Sequence, residues 1–196
     1  MPTKPITTGK EQKSIAALQI GDYIAASYTT DAAKNPGTFS AIGTVDAAEE
    51  LFNAADTTKL TGKVYLMKIA PGCLLCTTMN VRGTNFALLN KANLISGQKV
   101  EIGGRDFLMR VPTGRELVLA GGSLHGMLTD NDRYQNFDTA ASVNELIQEL
   151  NNVTPRCFNF NTYPATYAAN IATGDQAQAR FALCYVDNNQ SVDLFH

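Results

Sequence analysis

No stretch of this 196-residue chain concentrates positive charge: 16 Lys and Arg stand against 18 Asp and Glu, for a net charge of −2. The nearest groupings are Lys4, Lys10 and Lys13 near the start and Arg105, Arg110 and Arg115 in the middle. A nucleic-acid face needs clustered basic side chains to neutralise phosphates, so no nucleic-acid partner is expected. Long apolar runs are missing too, and nothing approaches the ~18 residues of a membrane-spanning helix, so no membrane span is expected. The opening MPTKPITTGKEQK has no apolar core of the kind a signal peptide carries. The expectation is a product made and kept in the cytosol, or released by a route other than secretion.

Histidine is scarce, with only His125 and the C-terminal His196. Ser123 lies close to His125, but there is no G-x-S-x-G elbow, and Gly121-Gly122-Ser123-Leu124-His125-Gly126 reads as a flexible loop between strands. No pair of carboxylates is singled out for glycosidase work either. The chain is therefore expected to be non-enzymatic, with no catalytic residues. Of the four cysteines, Cys73 and Cys76 have C-x-x-C spacing, yet Leu-Leu between them and Thr-Thr after them describe a strand. A redox pair instead sits at a helix N-terminus, where the thiolate is stabilised. Cys157 and Cys184 stand apart and neither belongs to a second pair, so a four-thiolate zinc site is not expected. Buried thiols are the default, with a disulfide open to them in an extracellular setting. Asp130, Asp132 and Asp138 lie in a polar stretch, but Tyr134 and Gln135 occupy the positions where an EF-hand loop needs a ligand and a glycine, which excludes that loop. No cofactor and no metal are expected.

What is present is the apolar content of a folded protein, 44% of residues, with only 17% charged against a globular average of about 25%. Abundant Thr, Asn, Ala and Gly favour strands and turns. The organisation expected is an extended arm over residues 1–14, a small hairpin-plus-helix subdomain over 15–60 and an α+β domain over 61–196. The arm lacks an apolar period, so a partner subunit is expected to order it. Leu18 to Thr44 reads as strand, loop (Asp31 to Gly37) and strand. Val45, Ala48, Leu51, Phe52 and Ala55 follow helical spacing after it.

From Gly62 to Leu119 the pattern predicts four or five strands and one interrupting helix or turn between Asn85 and Leu94. Gly103-Gly104 and Gly121-Gly122 punctuate the strands. Val143, Leu146, Ile147 and Leu150 form one stripe of a predicted helix over Thr139 to Asn151, with Gln148 facing outward. The segment from Asn151 to Asn170 reads as a loop, and Arg180 to Val186 as a closing strand. The fold class is α+β, β-rich, with a mainly antiparallel sheet and two or three short helices. Within the loop segment, Phe158, Phe160, Tyr163 and Tyr167 interleave with Asn and Thr. They form the candidate recognition surface, since such aromatics suit carbohydrate or protein contacts; the competing reading is that the rings plug the core.

Several segments, in order along the chain, resemble a family of tailed-bacteriophage virion proteins of the tail or tail-fibre type. LQIGDYIAASYTT followed by GTFSAIGT is similar to the family's opening pair of strands. LLCTTMNVRGTNFALLNKANLISG is similar to its central segment, aligned on Asn80, Asn85, Leu89, Asn90 and Gly97. FLMRVPTG and FALCYVDNNQSVDLFH resemble its later strand and its closing strand and tail. The family has Trp where this chain has Phe86, and usually another in the stretch that here reads TDNDRYQNFD; this chain has no Trp. The resemblance accordingly implies architecture and virion context but transfers no binding residues. It implies a structural protein assembled in the host cytoplasm and carried in the virion, partnered by other virion proteins and by copies of itself. The alternative is a receptor-binding, lectin-like adhesin module contacting host-surface glycan or protein through the loops Gly121 to Asp138 and Val153 to Thr173. Analogy with phage adhesion modules gives a C-type-lectin-like expectation for the C-terminal half.

Overall fold

The computed structural model describes residues 5, 7–29, 37–45, 62–77, 81–118, 144–151, 154–159, 169–170, 177–179 and 181–185. Among these residues the strands are β1 (Glu11–Gln12), β2 (Tyr23–Thr29), β3 (Thr38–Ser40), β4 (Gly62–Ala70), β5 (Cys73–Cys76) and β6 (Val81–Thr84). They continue with β7 (Gln98–Ile102), β8 (Arg105–Arg110), β9 (Asn144–Asn151), β10 (Thr154–Asn159), β11 (Ala169–Asn170), β12 (Ala177–Ala179) and β13 (Ala182–Tyr185). The helices are α1 (Phe86–Lys91) and α2 (Gly114–Val118), with one 3-10 turn at Ile15–Ala17. The α+β, β-rich class expected of the sequence is what the chain adopts.

The strands form two sheets. The larger has eight strands in the order β1-β2-β4-β5-β13-β8-β7, with β3 also on β2, and the smaller has five in the order β11-β10-β9-β12-β6. Described pairings are antiparallel except β1 with β2 and β9 with β12. Val64 to Met67 of β4, all of β5 and Ala182 to Cys184 of β13 are buried. Strands enclosed on both faces read as continuous apolar runs rather than alternating ones. At the edge, β7 alternates exposed and sheltered positions, and charged Lys99 and Glu101 there discourage pairing with another chain.

Local chemistry sets the connections. Pro71-Gly72 links β4 to β5 and Gly103-Gly104 links β7 to β8. Gly72, Gly103 and Gly104 all have positive φ, 70°, 60° and 74°, conformations that a side chain strains. Asn85 caps α1, its side chain accepting from the Leu88 N–H at 2.9 Å. Beyond the helix, Asn93 adopts positive φ and Gly97 follows at φ 117°. A Cβ on Gly97 would stand 2.5 Å from the Leu108 side chain.

One face of the larger sheet carries the core. Ile24, Ala26, Tyr28, Val64, Leu66, Leu74, Cys76, Phe107, Met109 and Leu183 pack with Leu89, Leu94 and Ile95 from α1 and the turn after it. Phe86, at the position where the resembled family has Trp, packs against this cluster. The opposite face is also covered, since Tyr65, Met67, Leu75 and Ala182 are buried. Gln148 ties β9 to the connections that flank the larger sheet: its N–H donates to Pro112 O beyond β8 and its Nε2 to Ile95 O in the turn after α1, both at 3.0 Å.

Three expectations are corrected. The helix over Thr139 to Asn151 is instead β9 from Asn144, paired with β10 and β12. Leu, Glu and Gln favour helix locally, but two neighbouring strands satisfy the backbone of this segment on both sides, and that context outweighs propensity. Gln148, expected to face water, is half-buried and bonded to Ile95. The supposed loop from Asn151 to Asn170 contains β10 and β11, with a bulge between Pro155 and Cys157 that accommodates the proline.

The arm also differs from expectation. Residues 7–14 bind their own domain by polar contacts rather than awaiting a partner: β1 pairs with β2, and Thr7 Oγ1 donates to Gly21 O at 2.9 Å. The helix predicted after Val45, the Asp130 to Asp138 stretch and His125 lie outside the described residues.

Candidate functional site

The densest polar chemistry among the described residues lies where β5, β13, β8 and α2 meet. Strand alternation sends Leu74, Leu183 and Met109 to the core and Cys73, Cys184 and Arg110 to the opposite face. Arg110 is 5% exposed. A buried guanidinium requires a countercharge, and Glu116 supplies it: Arg110 Nη2 to Glu116 Oε1 is 2.6 Å and Nη1 to Oε2 is 2.9 Å. Arg110 Nη1 also donates to Val111 O at 2.9 Å.

Glu116 reaches this point because α2 begins in a capping box. The Thr113 N–H donates to Glu116 Oε2 at 2.7 Å, and the Glu116 N–H donates to Thr113 Oγ1 at 3.1 Å. Burial opposes charge on Glu116, but Arg110 and the Thr113 N–H outweigh it and hold the carboxyl below its ordinary pKa. Burial likewise disfavours charge on Arg110, and Glu116 more than compensates, so the guanidinium stays protonated.

Two thiols adjoin the ion pair. Cys73 and Cys184 face each other across β5 and β13, their Sγ atoms 3.9 Å apart, and Cys73 Sγ donates to Glu116 Oε1 at 3.5 Å. The thiol–thiol hydrogen bond, burial and the Glu116 charge raise the Cys73 pKa. That same bond lowers the Cys184 pKa against the cost of burial, helped by Arg110.

The ligand atoms of Cys73, Glu116 and Cys184 all lie within 4.8 Å of one another. Two thiolates and a carboxylate suit a borderline-soft divalent ion. Both oxygens of that carboxylate are already engaged by Arg110 and Thr113, however, and the adjacent guanidinium repels a cation. The geometry favours sulfur chemistry between the two thiols over metal ligation.

A second polar cluster holds the arm. Asp22, 5% exposed, accepts from Lys10 N at 2.9 Å, Gln12 Nε2 at 2.8 Å and Gln19 N at 3.1 Å. Burial raises its pKa less than these donors lower it, so it stays below the ordinary value.

Of the residues singled out in the sequence, Cys73 and Cys76 lie on β5, pointing to opposite faces, and Cys73 is paired with Cys184 rather than with Cys76. Cys157 lies on β10, opposite Leu146. Phe158 lies on β10 opposite Glu145, while Phe160, Tyr163 and Tyr167 are outside the described residues. The Cys73–Cys184 pair was missed because 111 residues separate the partners and only strand order unites them. The Arg110–Glu116 brace did have a signal, Thr113-x-x-Glu116 opening a short apolar run. Comparison with family models, with curated proteins and with solved structures gives no match to this chain.

Proposed function

We propose that this chain is a non-enzymatic structural component of a tailed-phage virion, tail-associated or decorating its surface, that acts by assembling with copies of itself and with other virion proteins. The observation that carries this reading is where the resembling segments fall. Leu18 to Thr30 holds β2, Gly37 to Thr44 holds β3, Leu74 to Gly97 holds most of β5 together with α1, Phe107 to Gly114 holds most of β8, and the segment from Phe181 holds β13. Apart from β6, these are parts of one layer, the larger sheet and the helix packed on it, as a shared scaffold would require.

Two further features support it. A charged fraction of 17% suits a surface largely covered by neighbours. The buried charges at Arg110, Glu116 and Asp22 are occupied in bracing α2 and the arm. The test is to locate the chain in purified, salt-washed particles of the phage that encodes it, by quantitative peptide mass spectrometry and electron microscopy. A fixed copy number at a symmetric position is expected. Absence from washed particles overturns the proposal, and saturable glycan-array binding by the isolated chain would move the assignment to a receptor-binding module.

A further inference from the structure

We infer that Cys73 and Cys184 are the site of a reversible disulfide that closes the larger sheet between β5 and β13. Strand geometry is the first ground. On either side of the pair, the Tyr185 N–H donates to Gly72 O at 2.8 Å and the Cys76 N–H to Phe181 O at 2.9 Å. Hydrogen-bonded and non-hydrogen-bonded pairs alternate along an antiparallel ladder. Gly72–Tyr185, Leu74–Leu183 and Cys76–Phe181 are therefore the bonded pairs, and Cys73–Cys184 is a non-hydrogen-bonded one. There the Cα atoms approach to about 4.5 Å and the side chains lie closest, within the Cα separation that a disulfide spans, roughly 4.4–6.8 Å. The Sγ atoms, 3.9 Å apart, need only side-chain rotation to bond.

The electrostatic arrangement makes the two thiols unequal, which is the second ground. The bond from Cys73 and the nearby Arg110 favour the thiolate of Cys184, while burial and Glu116 disfavour that of Cys73. A cavity of about 210 Å³ lined in part by Lys68, Gly72, Cys73, Arg105 and Tyr185 gives a small molecule an approach to Cys73, with two cationic side chains at its wall. That suits an anionic low-molecular-weight disulfide such as glutathione disulfide.

The exchange proceeds in two steps. Cys73, which lines the cavity, attacks one sulfur of the reagent as it gives up its proton; the reagent's S–S bond breaks, a mixed disulfide forms on Cys73 and one glutathione thiolate leaves with the electron pair, taking up that proton. Cys184 then attacks the Cys73 sulfur, a second glutathione thiolate leaves, and the proton of Cys184 passes to it. Two protein thiols are oxidised and one disulfide is reduced to two thiols.

The test treats the folded full-length chain with glutathione disulfide at neutral pH, caps the remaining thiols and reads intact mass and peptide map. Loss of two thiols, a mass 2 Da below the reduced chain, and one crosslink joining the peptides of Cys73 and Cys184 are expected. Dithiothreitol should reverse the change. Cys157→Ser should give the same crosslink. Persistence of all four thiols, a lasting glutathione adduct on Cys73, another pairing, or a crosslink that appears only in denaturant overturns the inference. So does stoichiometric zinc that protects both thiols in protein purified without chelator.

Discussion

The two sheets differ in how their strands are specified. In the larger one, β4, β5 and β13 are apolar on both faces, and burial alone commits them to the interior. In the smaller one, β9 reads NELIQELN, a sequence as compatible with a helix as with a strand, and pairing with β10 and β12 decides its conformation. The first kind of strand carries its own instruction. The second takes it from its neighbours, which makes β9 the place where sequence and structure part.

The largest effect should come from emptying the larger sheet's core. Phe181 is fully buried, its ring tilted against that of Tyr28 with centroids 6.2 Å apart, so Phe181→Ala should cost about 3–5 kcal/mol, as large-to-small changes of buried aromatics do. Chemical denaturation, read as a fall in midpoint at constant slope, measures it. If the smaller sheet depends on the larger for its context, both should unfold in that single transition.

Breaking the Arg110–Glu116 brace comes next. Removing one partner of a buried ion pair leaves the other charge stranded, typically a cost of about 3–5 kcal/mol; Glu116 keeps some exposure, 14%, so Glu116→Gln should fall at or below the low end. Replacing both partners, as in Arg110→Met with Glu116→Leu, should recover much of the loss. The pH dependence follows from the lowered Glu116 pKa. A carboxyl depressed in the folded state contributes stability fully above its unfolded value, near 4.5, and loses that contribution as pH falls through the folded value. Wild type should therefore weaken below about pH 4.5 by more than Glu116→Gln does, in thermal unfolding compared across that range.

How much was legible follows the same division. Gly103-Gly104, the helix or turn placed between Asn85 and Leu94 and the apolar runs of β4, β5 and β13 are local signals, and each marks an element that forms. The missing apolar period points to an arm over residues 1–14 that a partner orders, yet Asp22 anchors Lys10 and Gln12 through backbone and side-chain donors that hydrophobic patterning does not register. The Cys73–Cys184 pair depends on β5 and β13 being neighbours, which is a property of strand order and not of spacing along the chain. Conversely, Cys73-x-x-Cys76 looks like a motif only when period-two alternation is ignored.

Gln148 offers a direct test of β9. As a strand residue its Nε2 donates to Ile95 O at 3.0 Å, so Gln148→Ala should cost about 1 kcal/mol, the usual net worth of such a bond. A helix with Gln148 in water would lose almost nothing. Carbon chemical shifts of residues 144–151 provide the independent check, displaced in the strand direction.

Loosening the arm should be a local event. Asp22→Asn keeps the shape but removes the charge on which Lys10 N, Gln12 Nε2 and Gln19 N converge. The Lys10 and Gln19 amides should exchange faster while the larger sheet's core amides are unchanged. In wild type the same loosening should appear as pH falls below the ordinary aspartate value of 3.8, because a depressed carboxyl loses its contribution in that direction. Release of core amides along with the arm would show that the arm is part of the cooperative unit.

The smallest effect should come from Lys99 and Asp106, whose Nζ–Oδ2 distance of 2.7 Å is nearly that of the Arg110–Glu116 pair. The surroundings differ: Lys99 is 64% exposed and Asp106 30%, so water screens the pair and ordering the lysine offsets part of the attraction. Exposed pairs are worth about 0–1 kcal/mol, and Lys99→Ala should move the denaturation midpoint hardly at all at physiological salt. Strands β7 and β8 remain paired through their backbones and through Ile102, Phe107 and Met109 beneath them. A loss comparable to that of Glu116→Gln would mean that edge charges, and not buried contacts, hold this end of the larger sheet, and the contrast between self-specified and neighbour-specified strands would have to be drawn elsewhere.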